Sequence, residues 1–238
     1  TGSHFNQSAL FAIPASLPDT VLEQMAVELV RVHAALRATF PSENVGQLCA
    51  STANVSVERI EYNGKDDADK WLEQASFKVQ SSLDIHNGPS VRFARLVDAH
   101  GTHFLFVAAH HLVVDLVSWQ IMQHDLEELY SAFARTGAIG ALRKPPTAWP
   151  SWAARMAQQP IADDSRAYWM AQLTKPLLAI AGTVSVKDNV MANVGQHVSR
   201  ITGCDRLFTQ PFLAKLQCRP HELAMFLVAR ALVRTFAD

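Results

Sequence analysis

Residues 102–111 read THFLFVAAHH, and no other stretch constrains the fold as tightly. Side chains alternate along a strand, so His103, Leu105, Val107, Ala109 and His111 share one face. Phe104, Phe106, Ala108 and His110 share the other. A strand that is apolar on both faces belongs inside a sheet that is covered on both sides. Upstream, Val91–Val97 pairs naturally with it through Asp98-Ala99-His100-Gly101, a hairpin loop with a glycine. Downstream, Met122, Leu126, Leu129, Tyr130 and Phe133 recur at helical spacing and predict a helix over Val117–Arg135. Strands and amphipathic helices in this order predict an α/β fold, an α+β sandwich with a mixed sheet flanked by helices.

The neighbouring segments extend that pattern. Gln7–Pro14 reads as a strand closed by proline. Leu17-Pro18-Asp19-Thr20 reads as a helix start, and Val21, Leu22, Met25, Leu29, Val32 and Leu36 carry the helix to about Thr39, where Pro41-Ser42 stops it. Val45–Cys49 and Val55–Ile60 are short strands, the second half solvated. Asp66–Leu83 is a helix with Trp71, Leu72, Ala75, Val79 and Leu83 as its buried stripe. Thr136–Pro150 is a Gly/Pro-rich loop, followed by short helices over Trp149–Gln159 and Asp163–Leu173. After Leu173 the pattern weakens: Thr174–Asn193 reads as a linker or crossover, Gln196–Thr202 as a strand, and Asp205–Leu216 and Pro220–Phe236 as helices. Residues 1–175 are therefore expected to form one coherent lobe, and 176–238 the opening of a second.

Composition excludes several classes. The chain is 49% hydrophobic and 18% charged, which rules out general disorder. Lys+Arg total 21 against 22 Asp+Glu, so the net charge of −1 argues against a dedicated nucleic-acid binder. Cys49, Cys204 and Cys218 are too few and too scattered for a disulfide framework or a zinc knuckle, which favours a reducing, cytoplasmic setting. No apolar run reaches the roughly 18 residues of a membrane span, and no signal peptide is visible. Nucleotide loops, dinucleotide fingerprints and metal boxes are absent from the pattern, so no metal and no resident cofactor are expected.

Chemistry concentrates in His110-His111-Leu112-Val113-Val114-Asp115, where the buried strand meets the long helix. Alternation sends one histidine into packing and the other beyond the strand end, an arrangement suited to a base beside a structural residue. Histidine as a type exchanges protons near neutrality. Asp115 sits at the helix-cap position, and the helix-end N–H groups are placed to stabilise an oxyanion. A second reading is open: a buried, hydrogen-bonded histidine pair and an aspartate that only caps. A metal site is weaker still, because adjacent histidines on a strand diverge.

These residues resemble a known family. HHLVVDLVSW (110–119) is similar to the HHxxxDG signature of the condensation superfamily of nonribosomal peptide synthetases. His4-Phe5-Asn6-Gln7-Ser8 resembles the family's HxNQS strand, and His33-Ala34-Ala35-Leu36-Arg37 its H-x-A-L-R helix end. Leu83-Asp84, Gly88-Pro89 and Arg92 resemble the stretch before the hairpin, and Tyr168-Trp169 the YW before the crossover. The resemblance implies a chloramphenicol-acetyltransferase-like lobe. It implies His111 as the catalytic residue, His110 as its structural neighbour, and an ion pair between Asp115 and Arg37 that supports the site. It implies no bound cofactor: the phosphopantetheine arm belongs to a peptidyl or aminoacyl carrier protein, the expected partner together with neighbouring synthetase domains.

HFNQS and VVDxVSW look most like the epimerization subtype, which inverts an α-carbon held as a carrier-bound thioester. Amide-bond formation by a condensation domain is the alternative, and a non-catalytic carrier-docking lobe another. Leu116 replaces the usual glycine and is expected to crowd the backbone near His111; Gln120 stands where epimerization sequences often have arginine. Arg135, Arg143 and Lys144 are candidates for carrier docking, or simply a solvated basic face. Complete members hold two lobes, so this chain is expected to supply the first and the beginning of the second.

Overall fold

A computed structural model describes residues 5–42, 45–48, 55–144, 147, 149–174, 193, 195, 198–199 and 201–236. By packing the chain divides into Thr1–Gln159 and Pro160–Asp238.

The first unit is built on a four-stranded mixed sheet of order β1-β6-β5-β4. Its strands are β1 (Asn6–Ile13), β4 (Val57–Glu61), β5 (Val91–Val97) and β6 (His103–His110). β6 runs antiparallel to both of its neighbours, and β4 joins β5 in parallel. A separate antiparallel pair consists of β2 (Ala38–Ser42) and β3 (Val45–Leu48). Three helices cover the sheet: α1 (Asp19–Val32), α2 (Ala68–Ser81) and α3 (Leu116–Thr136). α4 (Trp149–Ala157) follows.

β6 is central, as its doubly apolar pattern demands. Leu105, Val107 and Ala109 pack with Leu22, Leu29 and Val30 of α1 and with Met122, Leu126 and Leu129 of α3. On the opposite face Phe106 and Ala108 pack with Ala94 and Leu96 of β5 and Trp71, Ala75 and Val79 of α2. The hairpin loop before β6 closes through Gly101 at φ +74°, a left-handed conformation natural to glycine.

One buried charge organises the end of the sheet remote from His110 and His111. Arg95 of β5 is 2% exposed. Its Nη1 donates to the carbonyl of Leu17 at 2.7 Å and to the Asp19 carboxylate, its Nη2 to the carbonyls of Pro14 and Ala15, and its Nε to His103 Nδ1 at 3.0 Å. The guanidinium thus fastens the 14–19 loop that joins β1 to α1.

Two expected helices are shorter than their periodicity suggests. α1 ends at Val32; a 3-10 turn (Ala34–Arg37) and then β2 replace its predicted last turns. The cause is tertiary: Phe40 N donates to Ile85 O at 2.7 Å, and Ser90 Oγ donates to Ala38 O at 2.6 Å, drawing the chain into extended form. Pro41, which has no N–H, fits in the short β2 strand. The predicted helix over Asp205–Leu216 breaks into a 3-10 turn (Asp205–Phe208) and α6 (Gln210–Leu216), because Pro211 cannot continue a preceding helical turn.

The second unit contains α5 (Asp163–Leu173), α6 and α7 (Pro220–Phe236). Leu213 and Leu223 are buried, whereas Met225, Phe226 and Val228 of α7 are exposed. Of the strand expected at Gln196–Thr202, the described residues Val198, Ser199, Ile201 and Thr202 form no strand; the rest, and most of the expected linker Thr174–Asn193, lie outside the described residues. Among the described residues no helix is long and apolar enough to cross a membrane.

Removing one member of a buried ion pair is strongly destabilising, and Asp19, with its side chain 55% exposed, can recover part of its hydration. We therefore expect Arg95→Met to lower unfolding free energy by about 3 kcal/mol, at the low end of the usual range. Urea denaturation checks this, and an unchanged midpoint would mean that the loop does not depend on Arg95.

Candidate active site

β6 carries its ladder to the very end of the sheet. His110 N donates to Ser90 O at 2.9 Å, and His111 N donates to Phe5 O at 2.8 Å. Val113 N then donates to His110 O at 3.0 Å and turns the chain into α3. The pairing Asn6↔His110 and Gln7↔Ala109 brings the start of β1 beside this turn.

The two histidines have different surroundings. His110 is 3% exposed, and its Nδ1 accepts from Leu112 N at 3.1 Å, so the ring braces the turn. His111 is half-buried. Its Nδ1 lies 2.9 Å from the Val114 carbonyl oxygen, which can only accept, so Nδ1 carries the proton and Nε2 the lone pair. Nε2 lies 3.0 Å from Gln7 Nε2. The Phe5 ring stacks on the imidazole with centroids 5.0 Å apart and planes inclined by 15°. Trp119 Nε1 donates to Gln7 Oε1 at 2.8 Å.

Asp115 caps α3, where its position in the sequence puts it. Its Oδ1 accepts from the Ser118 amide at 2.8 Å and the Ser118 hydroxyl at 2.7 Å, while Ser118 Oγ accepts from Asp115 N at 3.1 Å. The expected Asp115–Arg37 ion pair is not among the ion pairs of the described residues. Asp115 is exposed, and its carboxylate turns onto the first turn of its own helix, so it needs no buried counter-ion. Arg37 Nη1 instead donates to the carbonyls of Val30 and Arg31, at the end of α1. The cap also changes the expected oxyanion site: the Ser118 amide is already occupied by Asp115.

Leu116 does not crowd the backbone in the way its replacement of glycine suggests. It is the first residue of α3 and 75% exposed. Among the described residues only Gln217 is a non-glycine with positive φ, so position 116 makes no demand for glycine's freedom. Arg135, Arg143 and Lys144 are all exposed.

Gln7, Trp119 and Phe5 were visible to sequence reasoning only as members of motifs. Their signal is β1 alternation combined with its register on β6, which puts Gln7 on the His111 side once the pairing is known.

The Asp115 carboxyl is held below the ordinary aspartate value of 3.8, first by the Ser118 hydroxyl and then by backbone N–H groups. A carboxyl whose folded value is depressed adds stability above its unfolded value and loses it as pH falls through the folded one. Asp115→Ala is therefore expected to cost about 1 kcal/mol at neutral pH. The gap between the two proteins should narrow below about pH 4. Thermal melts at a series of pH values check both; a gap that does not change with pH would remove the charged cap.

Comparison with known proteins agrees with this geometry. The family model described as the condensation domain matches residues 1–194. Nonribosomal peptide synthetase 5 of Gibberella zeae is 36% identical over 141 residues, covering 57% of this chain and 1% of that protein. Tyrocidine synthase 1 of Brevibacillus parabrevis is 29% identical over 172 residues, covering 70% of this chain and 16% of that protein. Among solved structures, the epimerization domain from the third module of tyrocidine synthetase B matches with a TM-score of 0.64 and 28% identity, over 75% of this chain and 42% of that one. The first condensation domain of the calcium-dependent antibiotic synthetase matches in fold, with a TM-score of 0.60 and 19% identity, over 73% of this chain and 43% of that one. The chain thus spans under half of those domains and a small part of the synthetases. Its mixed sheet with flanking helices is the chloramphenicol-acetyltransferase-like fold that these domains share. The chain belongs to the condensation-domain family of the nonribosomal peptide synthetases.

Proposed function

We propose that this chain supplies the histidine-bearing lobe of an epimerization domain, with His111 as its acid/base residue. On this reading residues 1–175 are assigned to that lobe and 176–238 to the crossover and start of a second one, a boundary later than the packing division at Gln159/Pro160. The observation that carries this reading is the His111 ring: half-buried, protonated at Nδ1 by its contact with Val114 O, and holding its lone pair at Nε2. The likeness to an epimerization domain at 28% identity supports the subtype.

In the proposed reaction a carrier protein presents an aminoacyl or peptidyl thioester on its phosphopantetheine arm. His111 Nε2 takes the α-proton, and the electrons of the C–H bond move into the thioester carbonyl to give an enolate. A proton delivered from solvent to the opposite face regenerates the thioester with the α-carbon inverted, and His111 releases its proton to solvent. His110 supports the turn, and Asp115 holds the start of α3. The Ser118 amide, engaged by Asp115, is not available to the enolate oxygen. The carrier approaches from neighbouring synthetase domains in the cytoplasm, and Arg135, Arg143 and Lys144 offer it an exposed basic face.

Peptide-bond formation is the second reading. The description of the matching family and the shared fold of condensation domains favour it. There the same lone pair would take a proton from the attacking amine. A lobe that docks carriers without turnover would bind a carrier and do neither reaction.

In the complete synthetase, His111→Ala is expected to slow exchange of the α-hydrogen with deuterated solvent by about 10² to 10⁴. Mass spectrometry of the carrier-bound residue measures it. Exchange at the parental rate would reject His111 as the base. Formation of a dipeptidyl thioester from two loaded carriers, without exchange, would select condensation instead.

A further inference from the structure

Three side chains lie in a row at the end of the sheet: the Trp119 indole, the Gln7 amide and the His111 imidazole. The indole N–H can only donate, so the oxygen of the Gln7 amide must face it. The amide NH2 is then left facing His111 Nε2, which must accept. From the other end, Val114 O can only accept, so Nδ1 of the same ring must donate. The two arguments are independent and give the same arrangement. Each donor points the same way along the row, from Trp119 Nε1 at 2.8 Å, through Gln7 Nε2 at 3.0 Å, to His111 Nδ1 at 2.9 Å from its carbonyl. Hydrogen bonds aligned in this way reinforce one another.

We propose that Trp119 and Gln7 are positioning residues that fix which nitrogen of His111 carries the proton, and so keep the lone pair on Nε2, facing the Gln7 amide. A proton placed on Nε2 would meet the Gln7 N–H. Rotating the amide to offer its oxygen would set its NH2 against the Trp119 N–H. The amide therefore has one stable orientation, and Gln7 has to swing aside when Nε2 takes up a proton. Phe5 stacks on the ring and is 64% exposed. The catalytic meaning of the relay rests on the epimerization reading; its effect on the position of the proton does not.

The test separates the two. In the 238-residue chain with 15N-labelled histidine, two-bond 1H–15N correlations in mildly alkaline solution report the tautomer of each ring, and His111→Gln identifies the signal. The parent should show His111 protonated at Nδ1. Gln7→Glu offers an acceptor to both neighbours and should move a proton to Nε2. Trp119→Phe releases the amide and should make the Nε2-protonated form appear. Should either variant unfold by circular dichroism, Gln7→Leu, which removes the amide, should shift the Nε2 resonance. A parent protonated at Nε2, or a His111 signal unchanged in folded Gln7 variants, overturns the relay. In the complete synthetase, Trp119→Phe should lower kcat for α-hydrogen exchange about 10-fold with KM nearly unchanged. If the tautomer shifts occur in a parent that exchanges no α-hydrogen, the relay stands and epimerization falls. If exchange is normal and the tautomer is indifferent to Gln7, epimerization stands and the relay falls.

Discussion

A buried strand has no water to satisfy its backbone, so every N–H and C=O must find a partner along both edges. β6 meets that demand with β1 on one side and β5 on the other, while α1 and α3 cover one face and α2 the other. The same requirement runs one residue past the strand, since the His111 amide is still bonded to Phe5 O. A side chain at this point inherits the rigidity of the most buried element in the unit. That is the placement a proton-transfer group needs, because reactive geometry tolerates little drift.

β1 is the weaker half of this construction. Among the described residues it is an edge strand, paired only with β6, yet it brings Phe5 and Gln7 to the imidazole. Its register therefore has to be held from elsewhere. Arg95 does so from the remote end, binding the carbonyls of Pro14, Ala15 and Leu17 just after the strand. Slippage of β1 by one residue would turn Gln7 to the other face of the sheet and break the chain from Trp119 to His111. This need accounts for a guanidinium buried in the core, because its fork satisfies several carbonyls at once, which no apolar side chain could do.

Much of this was legible in the residues. The doubly apolar pattern of THFLFVAAHH fixed a central strand, β5 and α7 have the predicted bounds, and Asp115 caps α3 as its position suggests. Periodicity failed where distant partners intervene. Nothing local in VHAALRATF says that Ile85 and Ser90 will draw residues 38–40 out of the helix. The Asp115–Arg37 pair came from resemblance, and the capping box displaced it because a local bond to Ser118 needs no buried partner. Gln7 and Trp119 were hidden for the same reason: they are 112 residues apart and meet only once β1 has paired with β6.

The adjacent histidines differ in a way that would suit only His111 to the proposed proton transfer. Each ring accepts a hydrogen bond at one nitrogen, but the donors differ. His110 accepts from the backbone amide of Leu112, and breaking that bond would undo the turn into α3. His111 accepts from a side-chain amide, whose departure would break only side-chain bonds, to His111 and to Trp119. The carbonyl of Val114 keeps the His111 ring oriented while its other nitrogen is uncovered. The proposed base would have to be both held and free, and at this strand end backbone bonds do the holding while only a side-chain amide covers Nε2.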